Sequence, residues 1–262
     1  MLKIKNLSPQ KCGGGIRGEK MNTEYGIQLY SIRDYAEKDL QKALELVAGL
    51  GYKYVEFAGF FGNTSMDVKE MLDYYGLKCS GTHSSFEDLT PSNIAATIEY
   101  HTEIGNPYYI IPGADLLSLE KIERFASIVN YAQPILAAEG IKLGYHNHSR
   151  EFAPQKWGFS IYSEIERRTN LNFEVDTFWA FDAGLNSIEL IERLGSRCDI
   201  IHLKDGFRGG IGVPLGEGEA PVLEVRDYAV KHNLKIVIES ETLNPDGYDE
   251  AKRCIEFLRN NE

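Results

Sequence analysis

Residues 141–148 read IKLGYHNH, residues 171–179 LNFEVDTFW, residues 199–205 DIIHLKD and residues 234–241 LKIVIESE. Each run is apolar over most of its length and carries two chemically capable residues two positions apart near its C-terminal end. The pairs are His146/His148, Glu174/Asp176, His202/Lys204 and Glu239/Glu241. Strand side chains alternate in direction, so each i, i+2 pair points to one face. Ionisable groups at the ends of otherwise buried strands are costly unless they are paired, coordinated to metal or used. Four such strands in succession predict a divalent-metal site with acid–base groups around it.

Working outward, four earlier runs have the same strand character: YGIQLYS (25–31), YKYVEFAG (52–59), LKCSGTHS (77–84) and YYIIPG (108–113). Amphipathic helical runs separate the eight, among them LQKALELVAGLG (40–51), NIAATIEYHTEIG (93–105) and SIELIERLG (187–195). The longest, SLEKIERFASIVNYAQPILAAEG (118–140), contains Pro134, which is expected to kink or split it. Gly51, Gly76, Gly105, Gly140 and Gly195 fall where helices end, as left-handed cap positions require. Eight strand–helix units in about 240 residues predict an α/β fold, a closed (β/α)8 TIM barrel. An open doubly wound sheet is the alternative, but no GxGxxG follows the first strand. GFRGGIGVPLGEGEAP (206–221) reads as a mobile active-site loop after strand seven, since no GK[ST] follows it.

The chain has 262 residues and a formal net charge of −11, which works against polyanion binding and so against nucleic acid. No apolar run is long enough for a membrane span, and residues 1–20 lack the apolar core of a secretory signal. Residues 1–24 read as an N-terminal extension and 25–262 as a single catalytic barrel domain. Cys12, Cys79, Cys198 and Cys254 are scattered without a CxxC, so buried or free thiols in a reducing cytoplasm are expected.

In a barrel, the C-terminal strand ends form the active face, so the polar pairs converge on one mouth. Asp176, His202 and Glu239 come from neighbouring strands six, seven and eight, and His146 on strand five is best placed to complete a metal site. Imidazole and carboxylate together suit Mn, Zn, Co or Fe rather than Ca. The alternative is a network of buried hydrogen bonds and ion pairs. His148 is a candidate general base or acid. Lys204 is a candidate acid or enolate stabiliser, or else an ion-pair partner of Asp205 or Glu174. Glu241 is a second mouth carboxylate or a partner for a loop cation. Gln28, Glu56 and His83 also fall near strand ends as supporting groups, and His83 is the one best placed to line the site. Trp179, Phe181, Tyr30 and Phe60 are candidates for an aromatic wall suited to sugar stacking, or plain core.

The runs YHNHSREF, VDTFW, HLKDG, PLGEGE and VIESE together resemble the xylose-isomerase-like barrel superfamily from about Gly26 to the C-terminus. That group holds sugar isomerases and epimerases and also endonuclease IV. The resemblance implies metal ligands at His146, Asp176, His202 and Glu239, where the ketose epimerases have Glu, Asp, His and Glu. The strand-five Glu is His146 here. With Glu239 alone left of a two-glutamate acid–base pair, His146 either ligates metal or serves as base. The family's substrate-gripping positions fall on Glu151 and Arg208, while a family His is replaced by Trp179. The acid–base His and Lys of the group's dehydratases fall on His148 and Lys204, and YHNH is similar to strand five of inosose dehydratases. Endonuclease IV needs many more His ligands than this chain offers.

The sequence therefore predicts an isomerase or epimerase that uses one divalent metal ion (Mn, Zn, Co or Fe, with Mg allowed). It would act on a keto-sugar or polyol through an enediolate, with His148 or Glu239 as base, Lys204 as acid, and Glu151, Arg208, His83 and Trp179 binding substrate. A dehydratase or lyase is the alternative, since both begin by removing an α-proton. A non-catalytic sugar-binding barrel is the reading from another class. No nucleic-acid or membrane partner is expected, and the oligomeric state is open, a homo-oligomer included.

Overall fold

The structure is a computed structural model that describes residues 23–262. The N-terminal extension expected over residues 1–24 therefore lies outside the described residues, except for Thr23 and Glu24. Eight parallel strands close a barrel: β1 (Gly26–Gln28), β2 (Tyr54–Phe57), β3 (Lys78–His83), β4 (Tyr108–Ile111), β5 (Lys142–His146), β6 (Asn172–Asp176), β7 (Ile200–Leu203) and, after a hairpin, β10 (Lys235–Ile238). Each strand pairs with its sequence neighbours, and β10 closes the ring against β1. This is the predicted (β/α)8 barrel.

The strands are shorter than the apolar runs suggested. The chain leaves β1 at Leu29 into a 3-10 turn, and His148, Lys204, Glu239 and Glu241 stand just beyond the strand ends. Helices pack outside, with caps that the sequence supplies. Thr64 and Asp67 form a reciprocal capping box on helix Ser65–Tyr75, which ends at Gly76 with φ 66°. Pro134 does not split its helix, which runs unbroken from Leu119 to Ala138. Ile122, Phe125, Val129, Ala132 and Leu136 bury one face on both sides of the proline, and that packing outweighs one lost hydrogen bond.

Inside the barrel, Tyr108, Ile110, Ile200 and Val237 form a separate apolar cluster. Two residues further along, the same inward face of β7 carries His202, and the continuation of β10 carries Glu239. The strand period thus lifts polar groups to one level above an apolar floor.

The segment after β7 departs from the expected mobile loop. It contains an antiparallel hairpin of β8 (Asp205–Phe207) and β9 (Ile211–Val213). The buried Asp205 carboxylate accepts the backbone N–H groups of Gly206, Gly216, Gly218 and Ala220 at 2.8–3.1 Å. Cys79, Cys198 and Cys254 are free and buried; Cys12 lies outside the described residues. Among the described residues no helix is long and apolar enough to cross a membrane.

Candidate active site

Strand register brings the mouth residues together. Asp176 pairs with His202 across β6 and β7, and His146 with Glu174 across β5 and β6. Asp176 is placed from two sides. The Asn147 side chain accepts its N–H at 3.1 Å and donates to its carbonyl at 3.2 Å, extending the ladder past the end of β5. Its own Oδ1 accepts the Trp179 N–H at 2.8 Å, capping helix Thr177–Asp182. That leaves Oδ2 for the mouth.

Four ligand atoms from His146, Asp176, His202 and Glu239, all buried, lie within 4.8 Å of one another. His146 Nε2 is 3.9 Å from Asp176 Oδ2, and His202 Nδ1 is 3.5 Å from Glu239 Oε2. A second group, His83, His146, Glu174 and His202, meets the same 4.8 Å limit. There His83 Nε2 lies 2.8 Å from Glu174 Oε2 and 2.9 Å from Glu56 Oε1. Gln28 Nε2 donates to Glu56 Oε1 at 2.6 Å. Glu56 and Gln28, seen in the sequence only as supporting groups, are thus built into the centre. Asn147 was missed altogether.

Lys204 is fully buried, 2.5 Å from Glu241 Oε2 and 3.2 Å from Glu239 Oε2, with its ammonium 4.7 Å from the Trp179 ring centroid. Its partners are therefore these glutamates, not Asp205, which holds the loop, nor Glu174, which faces the histidines. Tyr30, Ala58 and Pro112 supply the apolar lining of a cavity of about 310 Å³ at the mouth. His83, His146, His148, Glu239 and Glu241 supply its polar lining. A hollow of about 510 Å³ at the opposite end of the barrel, lined by Tyr54, Tyr108, Asp199 and Lys235 among others, contains none of the mouth ligands.

Of the other expected site residues, Trp179 lies beside Lys204 and His148, whereas Glu151, Arg208 and Phe60 are held by other contacts. Glu151 accepts the His148 N–H at 2.9 Å and the Arg150 Nε–H at 3.0 Å, and it is buried behind His148. Arg208 donates to the Phe181 carbonyl at 2.7 Å and stacks on that ring at 4.1 Å. It is not among the residues that line the cavity. Trp179 packs 5.7 Å from the His148 ring, under Gly210 of the hairpin. Phe60 packs on Phe57 and Tyr100, in the core rather than the wall.

Burial and nearby opposite charges compete at the mouth. Burial pushes Asp176 up to about 7, and Glu174 up to about 8 with repulsion from Glu56 added. Burial also works to raise Glu56, but His83 and His202 hold it well below the carboxylate range. Lys204 and His202 do the same for Glu239. His83 rises to about 9 because Glu56 and Glu174 outweigh its desolvation. Burial drives His146 well down, with help from His202 and His83, so its imidazole is neutral and able to bind a cation.

The donor set fits a divalent metal. Among the described residues, neither Asp176 Oδ2 nor His202 Nδ1 has a hydrogen-bond partner, though both are buried. Each such atom costs roughly 1–3 kcal/mol, a cost that a cation among the four ligands would remove. Two imidazoles and two carboxylates match the borderline metals rather than Ca.

The sequence profile of the xylose isomerase-like TIM barrel family matches residues 44–261. Among solved structures, the fold is similar to a sugar phosphate isomerase/epimerase from Parabacteroides distasonis ATCC 8503, with TM-score 0.75, 22% identity, and 93% of this chain and 98% of that one covered. It is similar to the probable 3-DHS dehydratase of Bacillus anthracis, with TM-score 0.70, 11% identity, and 92% and 100% covered. It is also similar to a D-allulose 3-epimerase from Methylomonas sp., with TM-score 0.67, 15% identity, and 91% and 98% covered. At these identities the likeness is one of fold. No curated protein matches the chain.

Proposed function

The chain belongs to the xylose isomerase-like TIM barrel family, and from that premise we propose that it is a divalent-metal-dependent isomerase or epimerase of a keto-sugar or polyol. One observation carries the reading: two buried ligand atoms without a partner among the described residues, Asp176 Oδ2 and His202 Nδ1, belong to a four-residue donor group at the cavity. His146, Asp176, His202 and Glu239 would hold the ion. When bound, it would polarise the substrate carbonyl and favour loss of the neighbouring α-proton.

The chain's own groups do the proton work. His148 lines the cavity, and burial lowers its pKa, so its imidazole is unprotonated at neutral pH and can accept the α-proton. Glu151 holds the His148 backbone in place. Glu239 is the second candidate base, but its carboxylate already faces Lys204 and His202. Lys204 stays charged in spite of burial, because Glu239, Asp176 and Glu241 surround it. Its ammonium can stabilise the enediolate oxygen or return a proton. Tyr30 and Pro112 offer apolar surface to the sugar's carbon face. With Arg208 tied to Phe181, the cavity fits an unphosphorylated substrate.

A second reading has its own support. His146 stands where a second glutamate would be needed for proton return from the opposite face, while the charged Lys204 can stabilise the negative charge that develops on a departing hydroxyl. β-Elimination from a keto-sugar or keto-inositol then follows the same first step. Incubation with unphosphorylated ketoses and keto-inositols in deuterium oxide, followed by NMR, tests both. Carbon-bound deuterium in substrate or epimer supports isomerase chemistry, and an unsaturated product supports elimination. Binding without exchange or product in metal-replete protein would instead indicate a sugar-binding barrel.

A further inference from the structure

An imidazole has two nitrogens, and a neutral histidine offers a cation only the one without a proton. The two mouth histidines divide their nitrogens between different neighbours. His202 Nε2 lies 3.0 Å from Glu56 Oε1 and 3.2 Å from Glu174 Oε2, while Nδ1 faces Glu239 at 3.5 Å. His146 Nδ1 lies 3.3 Å from Glu174 Oε2, while Nε2 faces Asp176 at 3.9 Å. His202 Nε2 and His146 Nδ1 have carboxylates within reach, whereas His202 Nδ1, on the mouth side, has no hydrogen-bond partner among the described residues.

We infer that Glu174 and Glu56 are the positioning residues of the metal centre. Glu56 accepts the Nε2–H of His202 and Glu174 the Nδ1–H of His146, and together they turn Nδ1 of the first and Nε2 of the second toward the mouth. The inference rests on the metal reading proposed above.

The surroundings are built to keep these carboxylates in place. Glu174 and Glu56 are fully buried and share a third imidazole, His83, whose ring stacks on His202 at 5.1 Å and 19°. Gln28 fixes Glu56 from the side. Strand β3 presents Gly81 beneath it, where an added Cβ would come within 3.0 Å of Glu56 Oε2. The inward layer below is apolar, formed by Ile110, Ile200 and Val237. Burying two carboxylates there is expensive unless imidazole N–H groups satisfy them. A carboxylate behind a metal-ligating histidine also fixes its tautomer and raises its basicity.

The test is zinc affinity by chelator competition, with long-range ¹H–¹⁵N NMR of the zinc-loaded protein to read which nitrogen of each histidine keeps its proton. The wild type should bind zinc through His202 Nδ1 and His146 Nε2, with the other N–H of each retained. Glu174→Gln and Glu56→Gln should each weaken zinc binding roughly 10- to 100-fold, the first blurring the His146 tautomer and the second that of His202. Should Glu174→Gln fail to fold, Glu174→Asp, which keeps the charge but shortens the reach, is read in the same way. Coordination through His202 Nε2, with binding abolished in both glutamine variants, would make the two carboxylates ligands and overturn the inference. Unchanged affinity and tautomers in Glu174→Gln would overturn it as well. Unchanged zinc affinity in Asp176→Asn would overturn the metal reading itself, and this inference with it.

Discussion

The buried ammonium of Lys204 lies 2.5 Å from Oε2 of Glu241, and this ion pair joins the chain just after β7 to the chain just after β10 at the cavity edge. Glu239 shares the same ammonium at 3.2 Å. Removing one partner of a buried pair leaves a charge uncompensated, at a cost of roughly 3–5 kcal/mol. Lys204→Met is therefore expected to lose turnover and to lower stability by an amount in that range. Glu241→Gln should cost about 1 kcal/mol or less, because Lys204 retains Glu239 and the Glu241 side chain is partly exposed. Urea denaturation of both variants checks the difference; equal losses would contradict it.

Asp176→Asn separates two roles of one side chain. Asn caps a helix as well as Asp does, so the bond to the Trp179 N–H survives while the charge at Oδ2 is lost. Folding should be unimpaired. Ligand-induced thermal stabilisation by Mn²⁺ or Zn²⁺, worth about 2.7 kcal/mol at a hundredfold excess over Kd, should disappear. Thermal melts with added ion and with chelator measure this, and a variant that still gains stability from the ion would contradict it.

His101 supplies a pH dependence remote from the mouth. Burial holds it at about 4, against 6.5 when exposed, and its Nδ1 accepts from Asn106 at 2.9 Å, which requires the neutral ring. Between these values the unfolded chain binds more protons than the native one. The contribution of His101 is therefore fully present above about 6.5 and is lost as pH falls toward 4. The loss amounts to about 3 kcal/mol. Unfolding free energies of wild type and His101→Gln across this range should converge as the pH drops; a constant difference would contradict the account.

The loop after β9 depends on Asp205. Asp205→Asn replaces one of two oxygens, each of which accepts two backbone N–H groups, with a donor. We expect a loss of about 2 kcal/mol and faster amide exchange confined largely to residues 206–220. Hydrogen-exchange mass spectrometry reads this directly; unchanged protection there would contradict it.

The barrel was legible because its signal is repeated: eight apolar runs, helices between them, and a glycine at positive φ after several helices. The mouth quartet was legible for a related reason, since period-two pairs at four strand ends converge in any closed barrel. Glu56 and Gln28 were harder to read. Each is a single polar residue in an apolar run, and the space that admits Glu56 is created by Gly81 on another strand. Asn147 sits on the opposite face from its neighbours His146 and His148, and it acts on backbone, which no side-chain pattern reveals. Arg208 shows the limit of counting along the chain. Its offset from His202 gives distance but not direction, and the hairpin turns it onto Phe181.

Metal content by elemental mass spectrometry tests the central claim most directly, on wild type, His202→Ala and Glu239→Gln purified side by side. The account predicts about one Mn, Zn, Co or Fe per wild-type chain and its loss in both variants, with the folded secondary structure retained. A wild type that holds no ion after incubation and dialysis, or variants that keep it in full, would contradict a metal centre built from His146, Asp176, His202 and Glu239.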